Sequence, residues 1–194
     1  QVQIELVEGL EKEKNFAFPL IKAFFLKKIE DQRTEFFLKS VDFDYSLVDD
    51  IAGNIDSTLE PLDDEYLGSQ LYRHLRQSME KLKIKRYDIL SPDLLHKFRT
   101  RIKENSYLAE MMYQPPGNLG VTKATFNRLK SFGQELGDWH DHYQLWSKTA
   151  YIFQESKEAD LMEEAFILRK YITPVHDKLF QEIIHMIKRD DSLF

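Results

Sequence analysis

The scarcity of helix breakers constrains this chain more than any other feature. Its six prolines stand at positions 19, 61, 92, 115, 116 and 174, and only seven glycines are spread over 194 residues. A sheet of many short strands needs a turn signal about every 8–12 residues, and so few turn residues cannot supply them. The segments between breakers are rich in Leu, Ile, Phe, Lys and Glu, and the expected fold class is all-α. With 42% hydrophobic residues the chain can close a sizeable core, as one ordinary domain or two small ones.

Helices are expected over residues 2–14 and 16–40, the second opening after Asn15 as N-cap with Pro19 still in its first turn. Phe24, Phe25, Phe36 and Phe37 read as core. Two more helices are expected at 45–60 and 64–86, separated at Pro61, with Asp63 or Asp64 available as a cap. Ser91, Pro92 and Asp93 form a strong start signal, as N-cap, first helical residue and dipole partner. The helix they open should end at the clearest loop, YQPPGNLGVT (113–122), before Thr122 or Thr125 starts another that runs to about 153. The last, 158–189, contains Pro174, which should kink or split it. Six or seven long helices with short links make a bundle, and no internal repeat is evident.

Composition also excludes several functions. There is no cysteine, hence no disulfide, thiolate metal site or cysteine nucleophile. The longest apolar run, FAFPLIKAFFL, is interrupted by Lys22 and falls short of the roughly 20 residues that span a bilayer. A soluble, cytoplasmic protein with no membrane contact is expected, and since the chain opens on Gln1, residues preceding it are expected too. The net charge is −6, but it is unevenly distributed. Residues 71–103 hold ten Lys or Arg against three acids, a local +7 that leaves −13 for the rest. One region can therefore attract anions while the remainder keeps the protein in solution.

Within that region, LLHKFRTRIKENSYLAEMM (94–112) sets His96, Arg99, Lys103 and Tyr107 at spacings of three and four. Those spacings share one helix face, giving a line of roughly 16 Å. Aligned cations repel one another and are best tolerated where carboxylates or a bound anion face them. The bland alternative is a solvated face opposite a buried one made by Leu94, Leu95, Phe98, Ile102 and Leu108. Arg101 points away from the line. Downstream, FNRLKSFGQELGDWHDHYQLW (126–146) places Leu136 and Gly137 about one helical turn before His140 and Asp141.

Together these segments resemble the CHAD family, the conserved histidine α-helical domain. Its pattern His-x-x-Arg-x-x-x-Lys-x-x-x-Tyr, here His96, Arg99, Lys103 and Tyr107, is followed one helix later by Leu-Gly-x-x-x-Asp, here Leu136, Gly137 and Asp141. The resemblance implies two antiparallel helical bundles related by pseudo-twofold symmetry, with a basic groove that binds inorganic polyphosphate and with no catalytic activity or cofactor. Residues 1–194 would form one such domain. About 91–194 is the motif-bearing half, and about 1–88 is a degenerate or truncated first half, since no second copy of the motif occurs in residues 1–90. The polyphosphate contacts would come from His96, Arg99, Lys103 and Tyr107, with Arg73, Arg76, Arg101, Lys123 and Lys130, joined by Arg128, extending the positive surface. Gly137, His140 and Asp141 would be the structural part of the motif; by their own chemistry Gly137 can let helices approach closely and Asp141 can pair with Arg99 or another base. Association with polyphosphate granules would follow. Chemically, Arg99 can grip two phosphate oxygens in a planar fork, Lys103 offers a compact charge and His96 a proton-dependent one. Tyr107 would donate a hydrogen bond or pack its ring in the core.

Three other readings compete. A metal-dependent phosphate-handling bundle would use Asp138, His140, Asp141 and His142, with His96 or His176 from other helices. His140 and His142 point about 200° apart on a helix, against ligation of one ion by both. An interaction scaffold would expose Trp139, Tyr143, Trp146 and Tyr151 as a helix face. Nucleic acid would exploit the same charge as polyphosphate and ranks behind it. No Gly-rich phosphate loop or nucleophile motif is present, so an enzyme is not expected.

Overall fold

The fold is all-α. The computed structural model describes residues 1–89, 91–113 and 121–189. The described helices are α1 (Val2–Lys14), α2 (Pro19–Val41), α3 (Ser46–Leu59), α4 (Asp64–Lys85), α5 (Pro92–Tyr113), α6 (Lys123–Glu155) and α7 (Ala159–Arg189), with a 3₁₀ turn at Arg86–Asp88. No strand occurs among the described residues. The loop expected around Pro115, Pro116, Gly117 and Gly120 lies outside them.

The chain divides into two compact units. The first comprises Gln1–Phe43 and Asp138–Gln181, the second Asp44–Gly137 and Glu182–Phe194.

In the first unit, α1 and α2 pair through a link that corrects one expectation. Asn15 does not open α2; it closes α1 in the left-handed region, φ 52° and ψ 43°, which Asn tolerates better than most residues. Helix α2 begins at Pro19, and the Phe18 before it carries no oxygen to cap with. Tertiary structure supplies the cap instead: Glu164 of α7 accepts from the backbone N–H groups of Leu20 and Ile21, both at 3.0 Å. Glu11 accepts from the Phe18 N–H at 2.7 Å and from Lys22 Nζ at 2.8 Å. Burial pushes the Glu11 carboxyl up, but these hydrogen bonds and the Lys22 charge together hold it below its ordinary range, while the bond to Glu11 raises Lys22. Beneath lies a core of Val7, Phe18, Ile21, Phe25, Leu145, Ile152, Leu161, Ala165, Leu168 and Ile172.

Helix α6 and helix α7 run antiparallel there, since Phe153 meets Phe166 at 5.9 Å between ring centroids and Trp139 meets Phe180 at 6.3 Å. Pro174 does not split α7, which is continuous through it. Next to the missing N–H, the Thr173 hydroxyl donates to the Arg169 carbonyl at 2.8 Å and accepts from Trp146 Nε1 at 3.1 Å. A second correction concerns the phenylalanines. Phe25 is buried, whereas Phe36 and Phe37 are 75% and 66% exposed, because α2 runs on past the helices that cover its first half.

In the second unit, α4, α5 and the first part of α6 pack antiparallel in turn. Asn105 reaches the Met79 sulfur at 3.2 Å, Phe98 meets Phe132 at 6.2 Å, and Tyr113 stacks on Phe126 at 5.4 Å. Leu75, Ala109, Met112, Val121 and Leu129 form the core between them. Helix α3 belongs to this unit and buries no residue.

Candidate functional site

Helix α5 starts where its sequence says it should, with the Ser91 hydroxyl accepting from the Leu94 N–H at 3.3 Å. Thr122 caps α6 in the same way, accepting from the Thr125 N–H at 3.1 Å. Leu95, Phe98, Ile102, Asn105, Ala109 and Met112 are buried, which fixes the rotation of α5 and so the direction of every cation on it. His96 and Lys103 are exposed and Arg99 is half-buried. Tyr107 is 54% exposed, so core packing of its ring does not apply; Lys103 Nζ lies 5.6 Å from the ring centroid.

Arg99 differs from its neighbours. Its Nε is shielded from solvent and has no acceptor among the described residues. A buried polar group left without a partner costs about 1–3 kcal/mol, more for a charged one. Lys103 is one turn further along the same face, within reach of a ligand that engaged Arg99.

A groove of about 660 Å³ opens between the end of α4, the 3₁₀ turn and α5. Leu82, Ile89, Leu94 and Phe98 make its apolar lining, and Lys85, His96, Lys97 and Arg101 bring basic groups to it, with Asp88 and Glu104 also present. His96 and Arg101 are thus brought together, although the helical spacing points Arg101 away from the line. Arg101 also pairs with Glu104 at 2.8 Å on the exposed surface. Lys85 and Lys97 are groove residues that the motif did not single out. The four-residue spacing of Lys97 and Arg101 was the available signal for one of them; for Lys85 it depended on how α4 packs.

The other cations are spread more widely. Arg76 pairs with Glu80 at 3.2 Å, and Arg73 lies 3.4 Å from the Gln70 side chain. Lys130 lies 5.8 Å from the Phe126 ring and Lys123 is exposed at the start of α6. None of these four lines the groove. Arg86, counted among the surface charges from sequence, is buried, with its guanidinium over the Tyr87 ring at 4.7 Å.

In the second motif Leu136 is buried. A Cβ added at Gly137 would meet nothing within 4 Å, so no close helix approach requires glycine there, contrary to the packing role expected. His140 and Asp141 belong to the first unit, with Asp141 Oδ1 3.7 Å from His140 Nδ1. His142 Nδ1 contacts the Asp138 carbonyl at 2.8 Å. No three His, Asp or Glu side chains among the described residues are grouped to hold a metal ion. The expected aromatic docking face is mostly internal. Trp139 is buried, and Trp146 stacks on His176 at 4.9 Å, with the ring of Phe180 beyond; Tyr151 alone of the four is exposed. No helix among the described residues is long and apolar enough to cross a membrane.

Comparison with protein-family models, with curated proteins and with solved structures finds no match for this chain.

Proposed function

We propose that this protein binds inorganic polyphosphate, without catalysis, along the cation-bearing face of α5. The observation that carries the reading is Arg99, a half-buried guanidinium whose Nε is hidden from water and has no acceptor among the described residues. A phosphate oxygen would satisfy that donor, and Arg can hold two oxygens of one group. Exposed His96 and Lys103 flank it on the same face, spaced to follow a chain of repeating charges. The resemblance of His96, Arg99, Lys103, Tyr107, Leu136, Gly137 and Asp141 to the CHAD motifs supports the same ligand.

The test is titration with long-chain polyphosphate, pyrophosphate and single-stranded RNA in parallel at two salt concentrations. Affinity for long-chain polyphosphate should fall in the order wild type, Arg99→Lys, Arg99→Ala, because the first change keeps charge and loses the fork. Lys103→Ala should weaken binding and flatten the dependence of log affinity on log salt by roughly 0.7–0.9, one counterion fewer being released. Affinity unchanged by all three substitutions would leave α5 with only a solvated face. Tight binding of pyrophosphate alone would mean a small-molecule pocket, and preference for RNA a nucleic-acid partner.

A further inference from the structure

Helix α3 is amphipathic and uncovered. Leu47, Val48, Ile51, Ile55 and Leu59 recur at spacings of one, three and four, which gathers them on one side. Every one is exposed; Ile51 and Ile55 are each 52% exposed. An apolar stripe of this kind on a protein surface marks a place where something docks.

The charge around it says what. Between residues 40 and 72 there are nine carboxylates and no lysine or arginine. By helical spacing Asp49 and Asp56 run along one border of the stripe and Asp50 along the other. An occupant should therefore be apolar in the middle and basic at the rim. The α4–α5 groove answers both requirements, with Leu82, Ile89, Leu94 and Phe98 in its lining and with Lys85, Lys97 and Arg101 outnumbering Asp88 and Glu104 there. Among the described residues Arg101 is engaged there by an exposed ion pair with Glu104, a contact worth little and easily exchanged.

We infer that two copies of this chain associate by reciprocal exchange, α3 of each seated in the α4–α5 groove of the other. Reciprocity follows from size. A 14-residue helix is about 21 Å long and 10 Å wide, a small footprint beside the roughly 800 Å² per partner of a standard stable interface. Two insertions double the contact and close the pair, so no groove or stripe is left to recruit a third copy.

Sedimentation equilibrium of the full chain, from micromolar to submillimolar, tests this. The wild type should dimerise, less at high salt because the rim contacts are screened. Ile55→Asp, at a position exposed in this structure, should keep the helical circular-dichroism spectrum while raising the dimer Kd about tenfold or more. The double substitution Lys97→Glu with Arg101→Glu should do the same from the groove side. Mixing these two proteins should restore association in part, above that of either variant alone, since the mixed pair keeps one of the two insertions intact. A wild type that stays monomeric throughout would overturn the inference. So would a dimer that tolerates the groove substitutions, which would mean that α3 pairs with itself or with another surface, or a mixture that associates no better than either variant alone. Ile55→Asp leaves the α5 cations intact, so polyphosphate binding by that protein reports on the functional proposal alone.

Discussion

Helices α5 and α3 lie in the same unit, both amphipathic, yet α5 buries six residues against its neighbours and α3 buries none. The difference is one of surroundings. Helix α5 is held between α4 and α6 by Met79, Phe132 and Phe126. Helix α2 shows the same contrast within a single element: Ile21 and Phe25 are buried, and Phe36 and Phe37 are not. An apolar stripe is a capacity to be covered, and stability accrues only where something covers it.

Four measurements put this contrast at risk. The strongest response belongs to the covered stripe: Ile102→Ala, at a fully buried position of α5, should cost about 2–5 kcal/mol in urea unfolding through lost burial and a residual cavity. A loss under about 1 kcal/mol, far below that range, would mean that α5 is no better held than α3. Next is the tertiary cap on the covered end of α2. Glu164→Ala removes the acceptor of two backbone N–H groups and should cost about 1 kcal/mol. An unchanged melting curve would show that water replaces the carboxylate.

A weaker response should appear in the pH dependence, through Glu11 and Lys22. The folded-state pKa of Glu11 lies below its ordinary 4.5, so its contribution is present above that value and is lost as pH falls through the lowered one. Lys22 lies above 10.5, so its contribution is present below that value and disappears as pH rises through the raised one. Glu11→Gln should flatten both limbs of the stability curve. Limbs of unchanged steepness would exclude the pair as a source of pH sensitivity. Least affected of all, Ile51→Ala on α3 should shift monomer stability by no more than about 0.5 kcal/mol. A larger loss in dilute solution would show that α3 is covered within its own chain.

Much of the architecture was legible in the sequence because the signals were local. Ser91-Pro92-Asp93 and Thr122 start α5 and α6 as their side-chain chemistry requires, and the boundaries of α1, α3 and α4 follow from periodicity and breakers. Asn15 misled because the same residue type serves as an N-cap and as a left-handed helix terminator; the next helix took its cap from Glu164, distant in sequence. Pro174 does not split α7 because loss of one helical hydrogen bond is tolerable where neighbouring helices hold the segment, here through Thr173, Arg169 and Trp146. At the candidate site, the alignment of His96, Arg99, Lys103 and Tyr107 was implicit in their spacing. The shielding of Arg99 Nε and the meeting of Lys85 with Arg101 were not, since both depend on the helices beside α5.

That this chain is helical, where most of its helices begin, and which side of each is apolar are all written in its sequence, because breakers, caps and a 3.6-residue period act over a few neighbouring residues. Which apolar sides are covered, which cations are shielded and which stand in water emerge only with tertiary packing. Those outcomes depend on contacts between residues far apart in the chain, and the same stripe of Leu, Ile and Phe is equally compatible with a core and with a surface awaiting a partner.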